Sequence, residues 1–187
     1  MITTSFSAAL QRFNQVLEST EASTREQPLP LQQGMEAALA MFRQVQQQGQ
    51  DVYLAGNGGS AALVAHAQND LVNKARLRAH VLHEPSVLTC MSNDYGYPHA
   101  YAHLLDRFLR AGDLLVAVSS SGRSANILEA VEAARRHGAT VLTLSGFAAA
   151  NPLRALGDIN LWLPSDDFGE VEVGHQLLLH YLSDALV

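Results

Sequence analysis

Leu114-Leu115-Val116-Ala117-Val118-Ser119-Ser120-Ser121-Gly122-Arg123-Ser124-Ala125-Asn126 decides the fold. An apolar run of strand length, Asp113 to Val118, enters a hydroxyl-rich turn, and the turn opens a helical pattern from Ala125 to Arg136. A helix start carries unpaired N–H groups and about half a positive charge, so it suits an anion. The serines add short donors without a fixed cation. The stretch therefore predicts a strand end that holds a phosphorylated small molecule, against the plainer reading of a capped helix with surplus serines.

The same rhythm extends in both directions. Short apolar strands at 52–55, 79–82, 114–118, 141–144 and 159–163 alternate with helical patterns at 60–74, 85–91, 98–109, 124–137 and 169–186. Such alternation predicts an α/β fold, a three-layer sandwich in which helices cover both faces of a parallel sheet. Ligands of such sheets sit at the carboxyl ends of strands, near a switch in strand order. Ahead of the first strand, 4–22 and 31–48 read as helices, with Phe6, Leu10, Phe13 and Leu17, then Met35, Leu39, Phe42 and Val45, at helical spacing. Pro28 and Pro30 interrupt between them. The expected organisation is one domain over 1–187, with a helical arm over 1–48 and an α/β core over 49–187. The arm packs on another copy or on its own domain.

Composition narrows the partners. The chain is 48% hydrophobic and 16% charged, with a formal net charge of -6, which fits a globular protein. Lys and Arg are scattered, so a nucleic-acid footprint is not expected. Cys90 is the single cysteine, which excludes an internal disulfide framework and agrees with a reducing, cytoplasmic setting. No basic stretch followed by an apolar core stands near Met1, so no secretory signal is expected. No apolar run approaches the ~20 residues that span a membrane.

Three further constellations carry chemistry. Ala55-Gly56-Asn57-Gly58-Gly59-Ser60 follows the first core strand and opens a helix. Its glycines allow close backbone approach, and Ser60 is a good cap. The glycine spacing is not that of a dinucleotide loop, and no Gly-Lys-Ser/Thr follows. On the helix it opens, His66 and Asp70 lie four apart on one face, as an oriented base, as two metal ligands, or as a plain hydrogen bond. The last helix carries Glu172, His175 and His180 in an apolar segment, and spacing alone does not bring Glu172 and His180 onto one metal. Ser92-Asn93-Asp94-Tyr95-Gly96-Tyr97-Pro98 reads as a polar turn that needs no function, or as one that reaches sugar hydroxyls.

Together these pieces resemble the sugar isomerase (SIS) domain family, and within it the phosphoheptose (sedoheptulose-7-phosphate) isomerase branch. The resemblance rests on Gly56-Asn57-Gly58-Gly59-Ser60, on Asn93-Asp94 and on Ser119-Ser120-Ser121-Gly122-Arg123-Ser124-Ala125-Asn126, and spans almost the whole chain. It implies a five-stranded parallel sheet in flavodoxin-like order, and a homotetramer with sites at subunit interfaces. The implied reaction is aldose–ketose isomerisation of a seven-carbon sugar phosphate. It implies that Ser119, Ser120, Ser121 and Ser124 hold phosphate. Asn57, Gly58, Gly59, Ser60, Asn93, Asp94 and Glu172 would meet the rest of the substrate. Asp70 and His180 would be the acid–base pair, and His66, Asp70, Glu172 and His180 the ligands of zinc or another divalent metal. The chain departs from the family in carrying Asp70 where Glu is usual and Glu172 where Gln is usual. The first shortens a carboxylate by one methylene and the second adds a negative charge. Some relatives are non-catalytic phosphosugar-binding adaptors; the retained His66, Asp70 and His180 favour the enzyme.

Overall fold

Ser5 caps the first helix by accepting the Ala8 amide at 3.2 Å, and the chain, described over residues 5–187 by a computed structural model, continues as alternating layers. Helix α1 (Phe6–Glu18) leads into two short strands, β1 (Glu21–Ser23) and β2 (Pro28–Leu29), and then α2 (Leu31–Gln48). The core follows as β3 (Asp51–Ala55), α3 (Gly59–Asn73), β4 (Arg78–Val81), α4 (Pro85–Tyr95), a 3-10 turn (Tyr97–His99) and α5 (Ala100–Phe108). It closes with β5 (Leu114–Ser119), α6 (Ala125–Arg136), β6 (Thr140–Ser145), β7 (Ile159–Trp162) and α7 (Phe168–Asp184). The expected start of the first helix at residue 4 lies outside the described residues.

Among the described residues the sheet has seven strands in the order β2-β1-β7-β6-β5-β3-β4, not the five expected. The five expected strands are its parallel part, with registers such as Leu54↔Val116 and Val116↔Leu142. The other two extend it: β1 pairs antiparallel with β7, Ala22 opposite Leu161, and β2 pairs antiparallel with β1. The helix expected over 4–22 ends at Glu18, short of residue 22. The chain turns into strand there because Ala22 is a buried contact for α2: a Cβ placed on Gly34 would collide with the Ala22 side chain. Only Gly at 34 lets α2 lie this close over β1.

Strand β5 shows why the apolar runs are unbroken. Leu114, Val116 and Val118 join one apolar cluster with Phe42, Val64, Leu71 and Leu182. Leu115 and Ala117 face the other way and join Tyr101, Leu105, Ile127 and Val131. A strand covered on both faces has no polar side to alternate. Between β3 and β5 the order reverses, since the chain leaves β3 for β4 on one side and returns to β5 on the other. That reversal is the switch point, and both strands end there in the glycine and serine loops.

Helix α4 corrects a second expectation. Glu84 accepts the Val87 amide at 2.9 Å and Pro85 stands at the helix start, so a strong N-terminal signal launches it. It runs to Tyr95, beyond the expected end at 91, and stops at Gly96 with φ +81. Ser92, Asn93 and Asp94 are therefore helical and not in a turn. Among the described residues no helix is long and apolar enough to cross a membrane.

Candidate active site

The glycine and serine loops meet. Asn57 donates to Asn126 Oδ1 at 2.8 Å, and Asn126 donates back to Asn57 Oδ1 at 2.8 Å. This exchange ties the end of β3 to the first turn of α6. Two tyrosines one turn apart hold the glycine loop from the other side: Tyr97 donates to Asn57 Oδ1 at 2.6 Å and Tyr101 to the Gly56 carbonyl at 2.9 Å. A cavity of about 200 Å³ lies between the loops, lined by Asn57, Ser60, Ser119, Ser120, Ser121 and Ser124, with Phe168 and Glu172 at its side.

Donors face that cavity with little else to do. Ser124 occupies the N-cap of α6 but makes no side-chain cap; its hydroxyl meets Ser119 Oγ at 3.2 Å. The first-turn amides are left without side-chain partners. Ser120 Oγ is buried and has no hydrogen-bond partner among the described residues. Buried hydroxyls normally find one, so an unpaired hydroxyl in a loop of donors marks a place for an acceptor. Gly122 sets the turn with φ +62, and a side chain there would strike Asn151. Asn151 is itself fixed by bonds to the Gly146 and Ala148 carbonyls and the Arg154 amide.

A second, wider cavity of about 470 Å³ opens beside the first, lined by Gly59, His66, Glu172, Val173, Gln176 and His180 among others. Helices α3 and α7 pack together here. His180 Nδ1 stands 2.9 Å from Asp70 Oδ2, and His66 Nε2 stands 3.7 Å from the same oxygen. The two imidazoles meet edge to face with centroids 4.9 Å apart. Asp70 Oδ2 is buried, and among the described residues no contact to it has hydrogen-bond geometry. Its other oxygen faces Lys74 Nζ at 3.4 Å, and Lys74 also binds Asp184 at 2.9 Å. Donor atoms of His66, Asp70 and His180 all lie within 4.8 Å of one another. Glu172 lines both cavities but stands outside that convergence. Its carboxylate rests on Gly59, where any Cβ would collide with it.

Of the residues singled out from sequence, the structure gathers Asn57, Ser60 and the four serines at one cavity, and Gly59, His66, Glu172 and His180 at the other, with Asp70 beside the two imidazoles. Gly58 turns the loop between them with φ +53. It does not bring Asn93 and Asp94 to either cavity. Both are exposed on α4, where Asn93 donates to Asp94 at 2.9 Å. His175 is no part of the site. It is fully buried, its Nε2 donates to the Ser145 carbonyl at 3.1 Å, and burial pushes its pKa down to about 4, so it is neutral. Sequence reasoning missed Tyr97, Tyr101 and Lys74. The tyrosine pair had a signal in its spacing of four after Gly96. Lys74 had one in its spacing of four after Asp70.

A doubly covered parallel sheet with donors converging at its switch point, and an imidazole–carboxylate cluster alongside, defines an anion-binding α/β protein equipped for proton transfer. The chain belongs to the SIS domain family, which it matches over residues 12–146. It is 32% identical over 158 residues to a phosphoheptose isomerase of Campylobacter concisus, covering 81% of this chain and 83% of the relative. It is 35% identical over 142 residues to a phosphoheptose isomerase of Mycobacterium tuberculosis, covering 73% and 72%. Among solved structures, the phosphoheptose isomerase of Neisseria gonorrhoeae superposes with TM-score 0.85 at 28% identity, over 97% of both chains. That of Francisella tularensis superposes with TM-score 0.83 at 25% identity, over 96% of this chain and 95% of that one.

Proposed function

We propose that the chain is a phosphoheptose isomerase, interconverting sedoheptulose 7-phosphate and D-glycero-D-manno-heptose 7-phosphate through an enediol. The observation that carries this reading is the Asp70–His180 pair, 2.9 Å apart, at a cavity that shares Glu172 with the one lined by serine hydroxyls. The relatives' shared name over most of both chains supports the substrate.

Ser119, Ser120, Ser121, Ser124 and the start of α6 bind the phosphate and fix one end of the open-chain sugar. Asn57, Gly58, Gly59 and Ser60 line the path towards the second cavity, and the resemblance extends the sugar-binding set to Asn93 and Asp94. Asp70 and His180 are the carboxylate and imidazole that move the proton between neighbouring carbons, as general acid and base beside the second cavity. Lys74 holds the far oxygen of Asp70, which leaves Oδ2 turned towards both imidazoles.

The donor set fits a divalent metal, zinc foremost. Two imidazole nitrogens and a buried carboxylate oxygen without a hydrogen bond are zinc-type ligands, and the carboxylate needs a partner. His66, Asp70 and His180 would hold the ion, with Glu172 as the fourth ligand that the resemblance assigns. When bound, such an ion supplies Lewis-acid stabilisation of the enediolate oxygen. The working form is a homotetramer with sites at subunit interfaces, supported by exposed apolar side chains of α1 and α7 that line a groove meeting the second cavity at Val173. A cytoplasmic setting accords with the free, exposed Cys90.

The test is turnover of sedoheptulose 7-phosphate by purified protein of measured metal content, alongside His180→Gln. The variant is expected to lose turnover while keeping phosphate affinity. A protein without metal or turnover that still binds phosphate would instead be a sensor or adaptor. Full activity in the variant would remove His180 from the mechanism.

A further inference from the structure

We propose that Tyr97 is a positioning residue that makes Asn57 a dedicated hydrogen-bond donor to the bound anion; this rests on the reading of the serine cavity as the phosphate site. Asn57 lines that cavity. Its amide faces the amide of Asn126, each donating to the other at 2.8 Å. Two facing amides make the same pair of bonds if both turn over together. The pair alone therefore does not decide whether Asn57 shows the ligand a donor or an acceptor.

Tyr97 decides it. Its hydroxyl lies 2.6 Å from Asn57 Oδ1. That separation suits O–H···O and is short for N–H···O. With Tyr97 and Asn126 both donating, Oδ1 has both lone pairs occupied. Nδ2 spends one hydrogen on Asn126 and keeps the other for the ligand. A turned-over amide would set an oxygen lone pair against an anion whose oxygens are all acceptors. Tyr97 is well placed for the task. It opens the 3-10 turn immediately after Gly96, whose φ of +81 ends α4. One turn later Tyr101, 1% exposed, anchors the same segment to the Gly56 carbonyl.

Tyr97→Phe keeps the ring and removes only the tie-breaking hydroxyl. It should weaken inorganic phosphate, measured by calorimetric titration, about fivefold, the worth of one ordinary hydrogen bond. KM for the sugar phosphate should rise by a similar factor, with kcat within about twofold of the parent. Tyr97 acts through Asn57, so in an Asn57→Ala background the same substitution should change phosphate affinity no further. Parent-like phosphate affinity in Tyr97→Phe would overturn the proposal. So would an undiminished fivefold loss in the Asn57→Ala background. A parent protein that binds no phosphate would sink the phosphate reading itself, a separate and recognisable failure.

Discussion

Ser120, in the proposed phosphate site, is placed at the expense of the fold. A buried hydroxyl without a partner costs about 1–3 kcal/mol, and Ser120 Oγ is such a group. Its backbone carbonyl is already used by the Gly146 amide at 2.9 Å, so the loop does not depend on the side chain. Ser120→Ala is therefore expected to raise the melting temperature by about 2–4 °C per kcal/mol recovered, while phosphate affinity falls. Thermal shift with and without phosphate reads both effects at once, and a lowered melting temperature in the ligand-free protein would contradict the argument. Gly59 makes the opposite case. An added Cβ meets only the end of the flexible Glu172 side chain, so Gly59→Ala should fold and melt within about 2 °C of the parent, as substitutions outside the core usually do. It should nevertheless displace the carboxylate that faces both cavities. Turnover is expected to drop at least about tenfold, since small misplacements at a reacting centre are costly. At this scale the sequence was legible in placement: the serines converge on one cavity, and His66 and Asp70 share one face of α3. It was misleading at Asn93 and Asp94, whose preference for turns lost to the cap at Glu84 and the proline after it.

Helix α7 carries three jobs on three faces. Glu172 and His180 reach the site, Val173, Leu177 and Tyr181 are exposed, and His175 is sealed against β6. His175 gives the element a pH signature. Its pKa falls from 6.5 in the unfolded chain to about 4 in the fold because burial penalises the charged ring. Between those values the unfolded state binds the extra proton, so stability rises with pH. Stability is full above about pH 6.5 and is lost as pH falls towards 4, with a slope approaching 1.4 kcal/mol per pH unit and a total of about 3 kcal/mol. His83 is lowered by burial too and acts in the same direction. Denaturant midpoints at pH 7, 6, 5 and 4 should fall steadily for the parent and less steeply for His175→Gln; parallel curves would refute the assignment. The long elements were readable from hydrophobic period alone. Strands β1 and β2 were not, because three and two residues are too few to show a period. Their existence depends on Ala22 fitting under Gly34, a tertiary fact. The approach of His180 to Asp70 was hidden for the same reason, since it depends on how α3 and α7 cross.

For the whole molecule, the question is what covers the apolar side chains that one chain leaves in water. Val173, Leu177 and Tyr181 recur every fourth residue on α7 and are each about half exposed; Phe6 and Leu10 on α1 are 82% and 57% exposed. Phe6, Leu10, Phe13 and Val173 line one surface groove, so the two stripes are continuous. Contiguous apolar surface of this kind marks an interaction site, and the same stripe borders the cavity of His66 and His180. A second copy seated on it would shield the imidazole–carboxylate cluster from water and strengthen its electrostatics. The serine cavity lies at the other end of Glu172 and draws its donors from the sheet of a single chain. Assembly should therefore govern chemistry more than phosphate binding. Leu177→Glu places a charge in the middle of the stripe at a half-exposed position. Light scattering should show a smaller particle than the parent's, and turnover should fall at least about tenfold, with phosphate affinity within about twofold. If the variant keeps the parent's mass, or loses mass but not turnover, the link between the apolar stripe and the cavity of His66 and His180 is broken.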